Sequence, residues 1–134
     1  MEPTIEHRPW GSYRLYIENK PCTVKRVDIA PWSALSLQFH EHRAQRYIIL
    51  DPMLVEWSNE PVPFGMHERD AILDWYMAHK VFRYVENGDE LFFDRRVVHR
   101  PHNDSGKEAS FVEVAYGHND EEDITRLADR YGRA

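Results

Sequence analysis

An all-β fold, a sandwich or barrel closed in a single domain over residues 1–134, is predicted by two observations. Short strand-like runs recur along the whole chain, and turn-formers separate many of them. In order, the runs are Ser12–Ile17, Cys22–Ile29, Ala34–His42, Gln45–Leu50, Leu54–Trp57, Val81–Val85, Glu90–Phe93 and Ser110–Ala115. The breaks include Asn19-Lys-Pro21, Asp51-Pro52, Asn87-Gly88 and Asn103-Asp-Ser-Gly106. Two stretches depart from this pattern. His67–Lys80 carries Ala71, Ile72, Trp75 and His79 at helical spacing, which predicts a short inserted helix. Glu121–Tyr131 sets Ile124, Leu127, Ala128 and Tyr131 on one helical face, which predicts a C-terminal helix packed on the barrel. Trp57, Trp75 and Tyr76 are read as core or interface residues.

Composition narrows the function classes. The formal charge is −6 with no sustained basic block, so neither nucleic acid nor an anionic membrane is an expected partner. No run approaches the length of a membrane span, and the first residues lack the pattern of a secretory signal. The one cysteine, Cys22, cannot form an internal disulfide and is read as an inert thiol in a cytoplasmic protein.

The stretch Leu35-Ser-Leu-Gln-Phe-His-Glu-His-Arg-Ala-Gln45 carries the most chemistry. On a continuous strand residues two apart share a face, so His40 and His42 are expected to grip one metal ion, with His99 arriving from a second segment. Gln38 shares that parity and offers a further oxygen. His7, His67, His79, His102 and His118 have no such support and are read as structural or solvent-facing.

These residues carry a family resemblance. His7-Arg-Pro-Trp-Gly-Ser-Tyr-Arg14, Thr23-Val-Lys-Arg-Val27 and Leu35-Ser-Leu-Gln-x-His-x-His-Arg-Ala44 resemble the cupin of type II mannose-6-phosphate isomerases. That domain also ends the bifunctional mannose-1-phosphate guanylyltransferases. The likeness continues through Gly88-Asp-Glu-Leu-Phe92, His99-Arg100, Asn103, Val112-Glu-Val114 and the tail from Glu122 to Arg133, leaving residues 52–80 as an insertion. It implies a cupin double-stranded β-helix, a jelly-roll barrel. No glycine-rich nucleotide loop precedes the cupin here, so no guanylyltransferase activity is expected of this chain alone.

The resemblance implies a metal held at His40, His42, position 45 and His99, where position 45 is ordinarily a glutamate. Gln45 supplies only a neutral carbonyl oxygen, so affinity should fall. Zinc is the expected ion, with cobalt, manganese, nickel or iron as alternatives. The resemblance also implies interconversion of mannose 6-phosphate and fructose 6-phosphate through an enediol. Glu113 is the candidate base and Lys25 the second; Arg43 is the candidate phosphate partner. Trp32, Pro52 and Arg96 stand where the family has glycine, and Asp94 where it has proline, so those turns should be rebuilt, with Arg95 and Arg96 adding charge at the pocket rim. Three readings stay open: a metal-dependent sugar-phosphate isomerase, a non-catalytic sugar-phosphate-binding cupin, and another metal enzyme such as an oxygenase. A homodimer, with the segment Glu6–Tyr16 covering a sheet edge, is expected.

Overall fold

The computed structural model describes residues 3–19, 21–118, 120 and 122–133. Two antiparallel sheets face one another. The first runs, in spatial order, β1 (Thr4–Arg8), β2 (Gly11–Ile17), β3 (Thr23–Ile29), β11 (Ala109–Gly117), β6 (Arg43–Ile49) and β9 (Glu90–Phe93). The second runs β12 (Thr125–Ala128), β5 (Leu37–Phe39), β10 (His99–Asn103), β7 (Met53–Ser58) and β8 (Lys80–Val85), with the short β4 (Ser33–Ala34) pairing β10. The N-terminal segment forms the β1–β2 hairpin, which makes one edge of the first sheet.

The inner faces are graded from apolar to charged, and this grading positions the site. On β3 the inward residues run Ile29, Val27, Lys25; on β6 Ile49, Tyr47, Gln45, Arg43; on β11 Phe111, Glu113. At the apolar end Ile29, Ile49, Val55, Phe93 and Phe111 form one closed core, and the Tyr47 ring stacks on Phe111 at 4.2 Å. Strand alternation keeps both sets on the same side, so the charged end is also enclosed. Lys25, Arg43 and Glu113 are all buried.

The inserted helix is present as α1 (Arg69–His79) and lies outside the second sheet. Ile72 and Tyr76, one turn apart, bury against Leu37, Phe39, Val98 and Leu127. His79 donates through Nδ1 to the Trp75 carbonyl at 2.7 Å and stacks on that indole, which closes the last turn. The Tyr76 hydroxyl donates to Glu56 Oε1 at 2.7 Å, and Glu56 also pairs with His102 and Arg100 beneath the helix.

The expected C-terminal helix is a correction. Residues Thr125–Ala128 form the strand β12, paired with β5 from Thr125↔Phe39 to Ala128↔Leu37. Residue 121, where the helix was to begin, lies outside the described residues. Leu127 does bury, as its spacing suggested, but it does so from an extended strand. Without β12 the three-residue β5 would stand as an unpaired edge, and tertiary pairing outweighs local helical spacing.

A second correction concerns the turns. Trp32 (φ 56°) and Arg96 (φ 64°) keep the left-handed conformation that glycine ordinarily takes. Arg96 is held there by its surroundings. Its N–H donates to the His40 carbonyl at 2.8 Å, and its carbonyl accepts from Val62 N at 2.8 Å. Its guanidinium donates to the carbonyls of Val62 (2.9 Å) and Pro63 (3.0 Å) and pairs with Glu41. Arg96 is thus a buried clamp and not a rim charge, while Arg95 is exposed.

Candidate functional site

The charged end of the barrel opens into a pocket of about 80 Å3, room for several waters. Its lining brings together residues chosen from sequence for separate roles: Glu113 and Lys25 as bases, Arg43 and Gln38 as substrate contacts. Glu113 and Lys25 are direct partners in the β11–β3 register, so their side chains rise side by side. The Lys25 ammonium lies 4.5 Å from the centre of the Tyr13 ring. Arg8, Arg126 and Arg133 join the lining, so among the described lining residues five cationic side chains accompany one carboxylate, with Arg133 itself held by the Asp129 carboxylate at 3.0 Å. The three added arginines come from the N-terminal hairpin and the tail, where no local spacing marked them.

The histidine segment is built differently from the continuous strand expected. Strand β5 ends at Phe39 and β6 begins at Arg43, with a tight turn between them. The turn shifts the inward parity by one. Gln38 and His40 face inward before it, and Arg43, Gln45 and Tyr47 after it. His42 falls on the outside and is exposed. Three neighbours hold this turn. The Asp123 carboxylate accepts from the backbone N–H groups of Glu41 (2.9 Å) and His42 (3.0 Å), and its carbonyl accepts from His40 Nδ1 at 2.6 Å. Arg96 binds the His40 carbonyl. Gly117, at φ 99°, lies so close that a Cβ there would sit 2.4 Å from the His42 carbonyl oxygen.

His40 and His99 do meet in the barrel, with ring centroids 5.4 Å apart. His99 donates through Nδ1 to the Val97 carbonyl at 3.0 Å, which leaves Nε2 as a bare acceptor. Burial pushes His99 down to about 4, opposed by that carbonyl bond and helped by the Arg43 charge. Burial, then the Arg43 charge, hold His40 well below the ordinary histidine range. Both rings are therefore neutral near pH 7.

Gln45 Nε2 donates to Glu113 Oε1 at 3.0 Å; a carboxylate accepts only, so the amide orientation follows and Oε1 faces away. Among the described residues, Gln45 Oε1, His99 Nε2 and the Tyr47 hydroxyl are buried without a hydrogen-bond partner. Burial, then the Glu113 charge, raise the Tyr47 phenol well above its usual range. Tyr47 was not singled out from sequence; its parity with Arg43 and Gln45 becomes visible only once the turn is known.

Two of these atoms, His99 Nε2 and Gln45 Oε1, suit a metal ion. The expected set as a whole does not fit. His42 points away, Gln45 brings no charge, and an Arg43 guanidinium nitrogen lies 3.5 Å from His40 Nε2. Among the described residues, no three His, Cys, Asp or Glu side chains gather as metal ligands.

The family described as "Mannose-6-phosphate isomerase C-terminal" matches residues 3–62. The alginate biosynthesis protein AlgA of Pseudomonas syringae is 30% identical over 129 residues, 96% of this chain and 23% of AlgA. Over residues 3–62 this chain is similar to the mannose-6-phosphate isomerase C-terminal family. The mannose-1-phosphate guanylyltransferase ManC of Salmonella typhimurium is 28% identical over 95% of this chain and 22% of its own length. The chain thus spans under a quarter of the curated relatives it matches. In fold it resembles the capsular polysaccharide assembling protein CapF of Staphylococcus aureus, with a TM-score of 0.71 at 11% identity over 94% of this chain and 34% of CapF. The architecture is the all-β cupin barrel. No helix among the described residues is long and apolar enough to cross a membrane.

Proposed function

We propose that this cupin binds a hexose 6-phosphate in the charged pocket and interconverts its aldose and ketose forms. The observation that carries the reading is that, among the described lining residues, one buried carboxylate, Glu113, is set among cationic side chains, in a chain similar over residues 3–62 to the mannose-6-phosphate isomerase C-terminal family. Isomerisation needs a base at carbon, a stabiliser for developing negative oxygen, and a grip on phosphate. In this reading Glu113 takes the proton from C2. The C–H electron pair becomes the C1–C2 double bond, and the carbonyl electrons move onto O1. The O2 proton passes to O1, and Glu113 returns its proton to C1 to leave the ketose. The buried cations Lys25 and Arg43 donate to the oxygens of the enediolate. Arg8 and Arg126 attract the phosphate, for which the planar guanidinium is suited, while Arg133 beside them is held by Asp129.

The binding-only reading has one observation in its favour: the Gln45 amide already occupies Glu113 Oε1. Proton NMR of mannose 6-phosphate in deuterated water separates the two. Deuterium entering at C2 together with fructose 6-phosphate, both abolished in Glu113→Gln, supports the isomerase. Saturable binding without exchange supports the binding cupin and removes the catalytic reading. An oxygenase using three histidines at one ion has less support, because His42 lies outside the barrel.

A further inference from the structure

We infer that the Arg43 guanidinium stands in this barrel where a divalent metal was expected, so that the pocket takes its anionic ligand without a metal ion. The ligand half of this inference rests on the sugar-phosphate reading above; the metal half does not.

The argument begins with the turn at residues 40–42. To bring His42 inward the chain would have to reverse the parity of β6, which carries Gln45 and Tyr47 with it. It would also break the two backbone hydrogen bonds to the Asp123 carboxylate and move His42 off the Gly117 backbone. The same geometry that expels His42 admits Arg43. Its guanidinium is buried, donates to the Asp120 carbonyl at 3.3 Å, and lies 3.5 Å from the unprotonated Nε2 of His40. That lone pair is the atom His40 would otherwise offer to a metal, since its Nδ1 is committed to Asp123.

The remaining donors are neutral. A divalent ion at His40, His99 and Gln45, even with Gln38 Oε1, which already accepts from Ser36 at 2.9 Å, would have no carboxylate among its ligands and a full positive charge beside it. Glu113 does not repair this, because its carboxylate accepts from the Gln45 amide and is flanked by Lys25 across the register. Arg43 supplies what the metal was expected to supply, a fixed positive charge with directed donors at the pocket floor. It is the polarising group for a ligand oxygen in this reading, instead of a surface grip on phosphate.

The test uses the whole chain, stripped with chelator, dialysed against zinc, cobalt, manganese, nickel or iron(II), desalted, and analysed for metal by plasma mass spectrometry. Isothermal titration with mannose 6-phosphate runs in parallel, with and without EDTA. The inference expects metal far below one per chain, equal affinity in both buffers and no change in His42→Ala. It also expects Arg43→Met to weaken binding by about tenfold or more, ~1.4 kcal/mol. The Arg43→Met/Gln45→Glu double variant, which frees His40 Nε2 and adds a carboxylate, should retain zinc that the wild type does not. Stoichiometric metal on the wild type, or a metal requirement for binding, overturns it. Absence of mannose 6-phosphate binding from a metal-free, folded protein overturns the sugar-phosphate reading and leaves the metal result standing on its own.

Discussion

Changing Gln45 to glutamate replaces one nitrogen by oxygen, yet the geometry predicts a large, pH-dependent loss of stability. Gln45 Nε2 donates to Glu113 Oε1 over 3.0 Å, with Gln45 only 1% and Glu113 7% exposed. In Gln45→Glu that contact joins two carboxylates. At 3.0 Å and an effective dielectric constant of about 20, two full charges repel by about 5 kcal/mol. Relaxation and the cations Arg43 and Lys25 reduce this, so about 2–4 kcal/mol is expected. One carboxyl escapes by keeping its proton, which raises its folded pKa above the roughly 4.3 of an unfolded glutamate. The sign follows. Near pH 4 the proton is present, the introduced carboxylic acid donates to Glu113 much as the amide did, and the variant costs little. As pH rises from the unfolded pKa through the raised folded one, the cost grows, then levels off. Urea unfolding of both proteins at pH 4 and pH 8 should show a small difference at the lower pH and about 2–4 kcal/mol at the higher. A difference that is flat across this range, or larger at pH 4, would mean that the side chains at 45 and 113 do not touch.

Four further outcomes follow from the same contacts. Arg96→Gly relieves a left-handed residue but removes the bonds to Val62, Pro63 and Glu41, so a net loss of about 2–4 kcal/mol is expected; unchanged melting would refute the clamp. Trp32→Gly relieves the same conformation at a side chain 68% exposed, and should leave the melting temperature equal or higher; a fall of several degrees counts against the argument. Gly117→Ala sets a Cβ 2.4 Å from the His42 carbonyl oxygen at φ 99°, and should cost about 2 kcal/mol or more in urea unfolding and weaken mannose 6-phosphate binding in titration; wild-type stability would show that this approach is loose. Burial alone would raise Glu56, but hydrogen bonds from His102 and Tyr76 and the Arg100 charge outweigh it and hold the carboxyl at about 2. A depressed pKa stabilises above the unfolded value, and that stability is lost as pH falls from about 4.5 through about 2, on the order of 3 kcal/mol; Glu56→Gln should flatten that acid limb of the stability curve.

Much of the barrel was legible because its strands carry a simple signal. Alternation and turn residues marked β2, β3, β6, β7, β8, β9 and β11 to within a few residues, and helical spacing marked α1. The elements that were missed or misassigned are those decided by pairing partners. β12 pairs with β5 only after the chain has closed, and β10, which carries His99, lies between β5 and β7 in the second sheet. The pocket was half legible. Glu113, Lys25, Arg43 and Gln38 emerged as charged or polar positions in strand-like runs, and all four line it. Arg8, Arg126 and Arg133 reach it from the two ends of the chain, and no local rule joins segments so far apart.

The histidine motif shows why spacing alone is an incomplete guide to a site. Two histidines at i and i+2 share a face only while the strand runs unbroken. One turn residue more or less exchanges the faces of everything that follows, and here the exchange occurs between the two histidines. Its causes are remote in sequence: Asp123 from the tail, Gly117 from β11 and Arg96 from the loop before β10. The arginine adjacent to the motif inherits the inward position that the second histidine was expected to fill. The chemistry of the barrel floor therefore follows from where β5 ends, which sets Arg43 and not His42 beside His40.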